Sequence, residues 1–243
     1  MFKINVLRKR IIHMIITEIK KNYKRLIDFM LGFYIKKLNS KKRFETIHRF
    51  SYWKSHESNS LSGAGSELHV TKNIRRELSN FLSNYQIKTI LDAPCGDFYW
   101  MSKMNLNNLK YTGGDIVEKL IIDNNNNFKT NNINFINLDL TKSEIKYYDI
   151  IFTRDCLVHL NNKEIFEVIK NVKNSKSKFF ASTIFEKNYN NNESDLNDFW
   201  RPINLMMPPF NFPKTFFLLD DNSQTINKSD SYKKIAVWKV EDL

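Results

Sequence analysis

Glycine is scarce in this chain: six in 243 residues. No G-x-G-x-x-G or G-x-x-x-x-G-K-[ST] loop can be assembled from them. Counting back from Gly96 gives Pro94 and counting forward gives Tyr99. A pyrophosphate or triphosphate therefore has no glycine loop to rest on. Cysteine is scarcer still. Cys95 and Cys156 are the two present, and neither sits in a C-x-x-C pair. That excludes a disulfide framework and makes a reducing compartment the natural setting. The histidines at positions 13, 48, 56, 69 and 159 form neither H-x-H nor H-E-x-x-H, which disfavours a metal centre. No apolar run approaches the roughly 20 residues of a membrane span. What remains, with hydrophobic residues at 42% and charged residues at 26%, is ordinary for a globular chain long enough to bury a sizeable core.

The net charge of +12 suggests nucleic acid or an anionic surface. Its distribution narrows this. The first 50 residues hold 14 Lys and Arg against Glu18, Asp28 and Glu45, and the other residues hold 24 basic against 23 acidic. The basicity belongs to an arm and the body is nearly neutral, so a basic cleft in the main domain is not supported. Within residues 1–45, Leu7, Ile11, Met14, Ile15, Ile19, Leu26, Met30, Phe33, Tyr34 and Leu38 follow a period near 3.6, which predicts a basic amphipathic helix. The likeness of Ile11–Ile16 to a signal peptide is loose, because Glu18 follows and no small-residue cleavage site appears. Three uses of the arm stay open: packing on its own domain or a twin subunit, peripheral contact with a membrane, and contact with nucleic acid.

From residue 70 onward helices and strands alternate. Helices are expected at Val70–Asn84, from Val117 and over Lys163–Lys173. Strands are expected at Thr89–Ala93, Lys110–Asp115, Ile133–Leu138, Asp149–Thr153 and Lys178–Ile184. Such β–α units argue for a parallel sheet with helices on both faces. Thr215–Leu219 and Lys234–Lys239 read as two closing strands in an antiparallel hairpin. The expected fold is α/β: a doubly wound, mostly parallel seven-stranded sheet with a C-terminal antiparallel hairpin, plus an N-terminal helical arm. Residues 1–69 are assigned to the arm and a covering segment, and residues 70–243 to the α/β domain. The long stretch Glu186–Pro213, with its aromatics and prolines, is expected to be an ordered lid.

Ligands of open parallel sheets bind beyond the carboxyl ends of the strands. Asp92-Ala93-Pro94-Cys95-Gly96-Asp97 follows the first strand, Gly113-Gly114-Asp115 ends the second and Asp139-Leu140 ends the third. Thr153-Arg154-Asp155-Cys156-Leu157-Val158-His159 follows the fourth. Asp115, 19 positions after Gly96, stands about where an acid meets ribose hydroxyls, and a carboxylate accepts both hydrogen bonds of a vicinal diol. With no phosphate loop, the site reads as one for a nucleoside without phosphates.

At these residues the chain resembles the class I S-adenosylmethionine-dependent methyltransferases. Ile90–Asp97 is similar to the family's first motif, Tyr111–Asp115 to the second, Asn137–Leu140 to the third and Asp149–Asp155 to the fourth. The first motif departs from the pattern: Pro94 and Cys95 stand where the family usually has further glycines. The resemblance implies S-adenosyl-L-methionine as cofactor, bound by Asp92, Ala93, Pro94, Cys95, Gly96, Asp115, Ile116, Asp139, Leu140 and Arg154. Asp115 would meet the ribose and Asp139 the adenine amino group. A looser likeness to members that modify glycans adds Trp53, Gly63, Gly65 and Ser66 as covering residues.

His159 is the candidate base, since an imidazole takes up protons near neutrality. Asp155 is its orienting partner, a substrate ligand or itself the base. Arg201 and Asn204 are candidate substrate ligands. Cys95 offers its backbone rather than its sulfur. The expected reaction is methyl transfer to an oxygen of a polar small molecule or glycan building block. The alternatives are a non-catalytic binding module of the same fold and a nucleic-acid methyltransferase using the basic arm. A small-molecule or glycan acceptor is the expected partner, nucleic acid is not, and peripheral membrane contact or a homodimer through the arm stays open. The expected compartment is the cytoplasm, with membrane-peripheral placement as the alternative.

Overall fold

The computed structural model describes residues 18, 22, 26–27, 29–54, 59–187, 191–192, 200–221 and 232–243. The chain divides into two compact units, Met1–Asn39 and Ser40–Leu243. Residues 40–69, assigned above to the arm, therefore belong to the larger unit. The reason is packing: Ile47 and Val70 are buried, and Phe44 packs against the core. In the smaller unit residues 29–35 are helical. Leu7, Ile11, Met14, Ile15 and Ile19 lie outside the described residues.

The larger unit is built on one seven-stranded sheet. Its strands are β1 (Thr89–Asp92), β2 (Lys110–Asp115), β3 (Ile133–Asn137), β4 (Ile150–Thr153), β5 (Phe179–Phe185), β6 (Phe217–Asp220) and β7 (Lys233–Lys239). The order is β3-β2-β1-β4-β5-β7-β6. Strands β1 to β5 are parallel, and β7 runs antiparallel to both β5 and β6. The expected fold, including the antiparallel pair at its end, is the observed one.

Every residue of β4 and β5 is buried, as the apolar runs Ile150-Ile151-Phe152 and Phe179-Phe180-Ala181 require of strands covered on both faces. Successive side chains serve opposite layers. Ile90, Ile150 and Phe179 enter one core, and Leu91, Ile151 and Phe180 enter the other. Among the described residues four α-helices flank these layers: α1 (Ser40–Arg49), α2 (Lys72–Asn84), α3 (Glu118–Phe128) and α4 (Asn162–Asn174). Helix α2 buries Ile74, Leu78, Phe81 and Leu82 in the first core. Helix α4 buries Ile165, Val168 and Val172 in the second. Both stripes follow the helical period, and truncating Leu78 to alanine costs about 2–5 kcal/mol. Asn161 and Glu164 close a capping box at the start of α4. The Ser40 hydroxyl also donates to Glu164, tying the start of α1 to that box.

This topology gathers chemistry at one edge. The parallel strands end in Asp92, Asp115 and Thr153. Because β7 is antiparallel, its first residue, Lys233, pairs with the last residue of β5, Phe185. Strand β6 runs parallel to β5 and brings Asp220 and Asp221 to the same edge.

Candidate active site

A cavity of about 550 Å³ opens at this edge. One wall is the strand ends and the loops after them: Asp92–Asp97, Gly114–Val117, Leu138–Thr141, Arg154–Cys156 and His159. The other wall is the segment after Asn39: Ser40, Phe44, Ile47 and His48 of α1, then Trp53 and Leu61–Ser66. Every expected cofactor residue, from Asp92 to Arg154 together with Trp53, Gly63, Gly65 and Ser66, lines it.

The turn after β1 is held from all sides. Gly96 has φ 55°, and a Cβ there would overlap the Ser62 hydroxyl. Its N–H donates to Asp115 Oδ2 at 3.1 Å, and its carbonyl accepts from Asn124 Nδ2 at 2.8 Å. The Cys95 N–H donates to the Gly114 carbonyl at 2.9 Å. Burial pushes the Cys95 thiol well up, which keeps the sulfur a neutral thiol.

Two carboxylates are buried beside this turn. Asp92 accepts from the Tyr111 hydroxyl at 2.6 Å, yet burial raises its pKa to about 7. Asp115 accepts the N–H groups of Gly96 and Val117, and burial raises it to about 6. Both acids gain from an occupant that brings hydrogen-bond donors or positive charge. For Asp139, burial is outweighed by the Thr141 hydroxyl and N–H and by Lys142, which hold it below the usual range.

The covering segment is pinned by the last residue of the first motif. Asp97 accepts from the Ser60 hydroxyl at 2.9 Å, the Leu61 N–H at 2.6 Å and the Ser62 hydroxyl at 3.1 Å. Gly63 has φ 94° and passes close to Trp53. His48 adds a buried Nε2 with no hydrogen-bond partner, on a side chain lining the cavity.

At the far end of the cavity four charges interlock. Arg154 grips Asp221 with two bonds, 2.9 and 3.0 Å, and reaches Asp155 at 3.3 Å. Lys233 pairs with Asp155 at 2.6 Å and Asp221 at 3.1 Å. Burial opposes ionisation of Asp155, but the Lys233 and Arg154 charges hold its carboxyl well below the usual range. A carboxylate held between two cations is a weak base, which argues against Asp155 as the proton acceptor. His159 lines the cavity with its ring stacked on Trp53, centroids 4.8 Å apart, and edge-on to Phe44. Trp200 closes this end against Phe185.

Arg201 and Asn204 do not reach the cavity. Arg201 is 0% exposed and donates to the Asn191 carbonyl, the Leu160 carbonyl and Asn162 Oδ1. Asn204 is 1% exposed and exchanges bonds with Asn191. Both pin the chain rather than hold a substrate. The same packing corrects the lid over 186–213: Ile203, Leu205 and Phe210 are core residues, and of residues 200–213 only Trp200 lines the cavity. Residues 188–190 and 193–199 lie outside the described residues. Lys233, Asp221 and His48 are the residues at the site that sequence patterning misses, since nothing local distinguishes them, and Asp97, though inside the first motif, is given no role by it.

No family model matches the chain, and no curated protein matches it in sequence. Solved structures do match its fold. N-methyltransferase NodS from Bradyrhizobium japonicum, in complex with S-adenosyl-L-homocysteine, superposes with a TM-score of 0.53 at 14% identity, covering 70% of this chain and 87% of that one. Magnesium protoporphyrin IX methyltransferase from Synechocystis, with bound S-adenosylmethionine, gives 0.50 at 15% identity, covering 83% and 97%. The methyltransferase domain of bacterial CtHen1 gives 0.51 at 13% identity, covering 70% and 99%. The chain has the class I methyltransferase fold.

Proposed function

We propose that this chain is an S-adenosylmethionine-dependent methyltransferase that methylates an oxygen of a polar small molecule or glycan building block. The observation that carries this is the pair of buried carboxylates, Asp92 and Asp115, flanking the Gly96 turn inside the cavity. A nucleoside with a ribose diol and an amino-acid ammonium satisfies acids whose ionised forms are otherwise disfavoured. The orphaned His48 Nε2 and the turn without a Cβ at Gly96 fit such an occupant as well.

Asp115 would take the diol, Asp139 the adenine amino group, and the Pro94–Gly96 backbone and Asp92 the amino-acid end. When bound, S-adenosylmethionine supplies a methyl group already activated on a sulfonium. The protein's remaining tasks are alignment and exclusion of water. Leu61–Ser66 line the cavity and are tied to the turn after β1. Asp155 and Lys233, offset by the aromatic faces of Trp53 and Trp200, suit an acceptor with hydroxyls on an otherwise apolar ring. His159, at that end, takes the proton lost by the acceptor hydroxyl. The near-neutral body gives a nucleic-acid acceptor no basic track.

Incubation with isotope-labelled S-adenosylmethionine and hydroxylated metabolites or glycan units, read by mass spectrometry, tests the reading. Label in an acceptor, lost with His159→Ala while S-adenosylhomocysteine still binds, is the expected result. Binding without turnover on any acceptor would leave the fold as a binding module, and no binding of either nucleoside would remove the enzyme reading altogether.

A further inference from the structure

In the Met1–Asn39 unit, exposed apolar side chains align. Leu26, Phe29, Met30, Phe33 and Tyr34 recur at i, i+3, i+4, i+7 and i+8, the repeat of one helix face. They are 55%, 73%, 63%, 61% and 57% exposed, while Ile35 on the other side is buried. Single exposed apolar residues need no explanation, but a contiguous stripe of five large ones marks a docking surface. Lys37 stands with its ammonium 4.8 Å above the Phe33 ring. A lysine whose stem lies along an apolar strip while its charge sits at the margin is suited to a lipid headgroup boundary.

Charge selects the occupant. Residues 1–39 hold ten Lys and Arg against Glu18 and Asp28, whereas the rest of the chain holds 28 basic against 24 acidic residues. Twofold pairing of the stripe with its own copy would bring a second cationic unit against the first. An anionic bilayer covers the same stripe and neutralises the charge. We propose that this helix face docks on an anionic lipid surface, its aromatic and methionine side chains entering the headgroup boundary and its lysines and arginines facing lipid phosphates. Among the described residues no helix is long and apolar enough to cross a membrane; Lys20, Lys21, Lys24, Arg25, Lys36 and Lys37 flank the stripe closely in sequence, which suits a helix lying on the surface.

Flotation of the full chain with vesicles of phosphatidylcholine alone, and with vesicles that also contain phosphatidylglycerol, tests this. The chain should float with the anionic vesicles only, and less so as salt is raised. The double substitution Phe29→Ser and Phe33→Ser should weaken that binding about tenfold or more with an unchanged melting temperature, because both side chains are exposed. Should that variant unfold, Lys36→Glu with Lys37→Glu carries the test, and binding should again fall. The proposal is overturned if the chain fails to float with anionic vesicles, or if flotation survives the Phe29 and Phe33 substitutions. It is equally overturned if sedimentation shows a dimer that those substitutions dissociate.

Discussion

Ser62 and Asp97 hold each other through two reciprocal hydrogen bonds. The Ser62 hydroxyl donates to Asp97 Oδ1, and the Asp97 N–H donates to Ser62 Oγ, both at 3.1 Å. The residues are 35 positions apart, so the pair joins the covering segment directly to the turn after β1. Ser60 and Leu61 add further bonds to the same carboxylate. Asp97→Ala removes every bond to the carboxylate and leaves only the backbone N–H bond to Ser62. Each bond to a charged group contributes about 1.5–3 kcal/mol, so S-adenosylhomocysteine affinity should fall at least about tenfold. Calorimetry reads this directly, and unchanged affinity would show that the cover adds nothing to binding.

Gly96→Ala tests the same junction by shape. The residue sits at φ 55°, and its added Cβ would collide with the Ser62 side chain. Left-handed backbone costs a non-glycine residue about 1–2 kcal/mol, and the collision displaces Ser62 as well. A lower melting temperature together with weaker nucleoside binding is expected. A variant as stable and as tight as the parent would refute the close approach.

The buried acids give a pH signature. Asp92 and Asp115 have folded-state pKa values of about 7 and about 6 because burial disfavours their charged forms. Below about pH 4 they are protonated in folded and unfolded chains alike. Between about pH 4 and 7 the unfolded chain gives up these protons first, so both groups make stability fall as pH rises through that window. Asp139 and Asp155, held low, act oppositely: the stability they add is present above about pH 4 and is lost on further acidification. A ligand that donates hydrogen bonds to Asp115 favours its ionised form. Affinity for S-adenosylhomocysteine should therefore rise across the same window with release of protons, and Asp115→Asn should flatten the profile. Calorimetry in buffers of differing ionisation enthalpy measures the protons released.

Arg201→Ala separates a structural arginine from a substrate ligand. Loss of its bonds to Asn191, Leu160 and Asn162 strands buried acceptors and should cost at least about 1.5–3 kcal/mol. The melting temperature should drop, and KM for the acceptor should stay near the parent value at temperatures where the variant is folded. A raised KM with unchanged stability would return Arg201 to the active site.

The five parallel strands are legible because each is a short run rich in β-branched and aromatic residues, and in β1 to β4 an Asp, Asn or Gly marks an end; the acids at or just beyond those ends follow from that phasing. Asp92, Asp115 and Asp139 each sit where strand geometry alone places them. Arg201 is the instructive failure. Beside Trp200 and Pro202 it looks like a ligand-binding arginine, but its burial depends on Leu160 and Asn162, about 40 positions upstream. Lys233 fails the other way: one of 38 basic residues, it reaches the site only because β7 is antiparallel to β5. Local pattern fixes strands and turns, whereas which charges meet is decided by pairings between distant segments.

Strand β7 lies between β5 and β6 although it follows both in the chain. Among the described residues strand β6 therefore has no neighbour in the sheet except β7, and β5 has an open edge until β7 is laid against it. Phe216, Phe217 and Leu218 remain about two-fifths exposed even after that. Closing this end of the sheet is a non-local event, with Phe179 meeting Lys239 across the whole intervening chain, and such pairings form slowly. During the delay, two unpaired aromatic edges are presented to other chains in the same state. The arrangement that brings Lys233 into the cavity thus makes the yield of refolding depend on protein concentration, with intermolecular strand pairing competing against the insertion of β7.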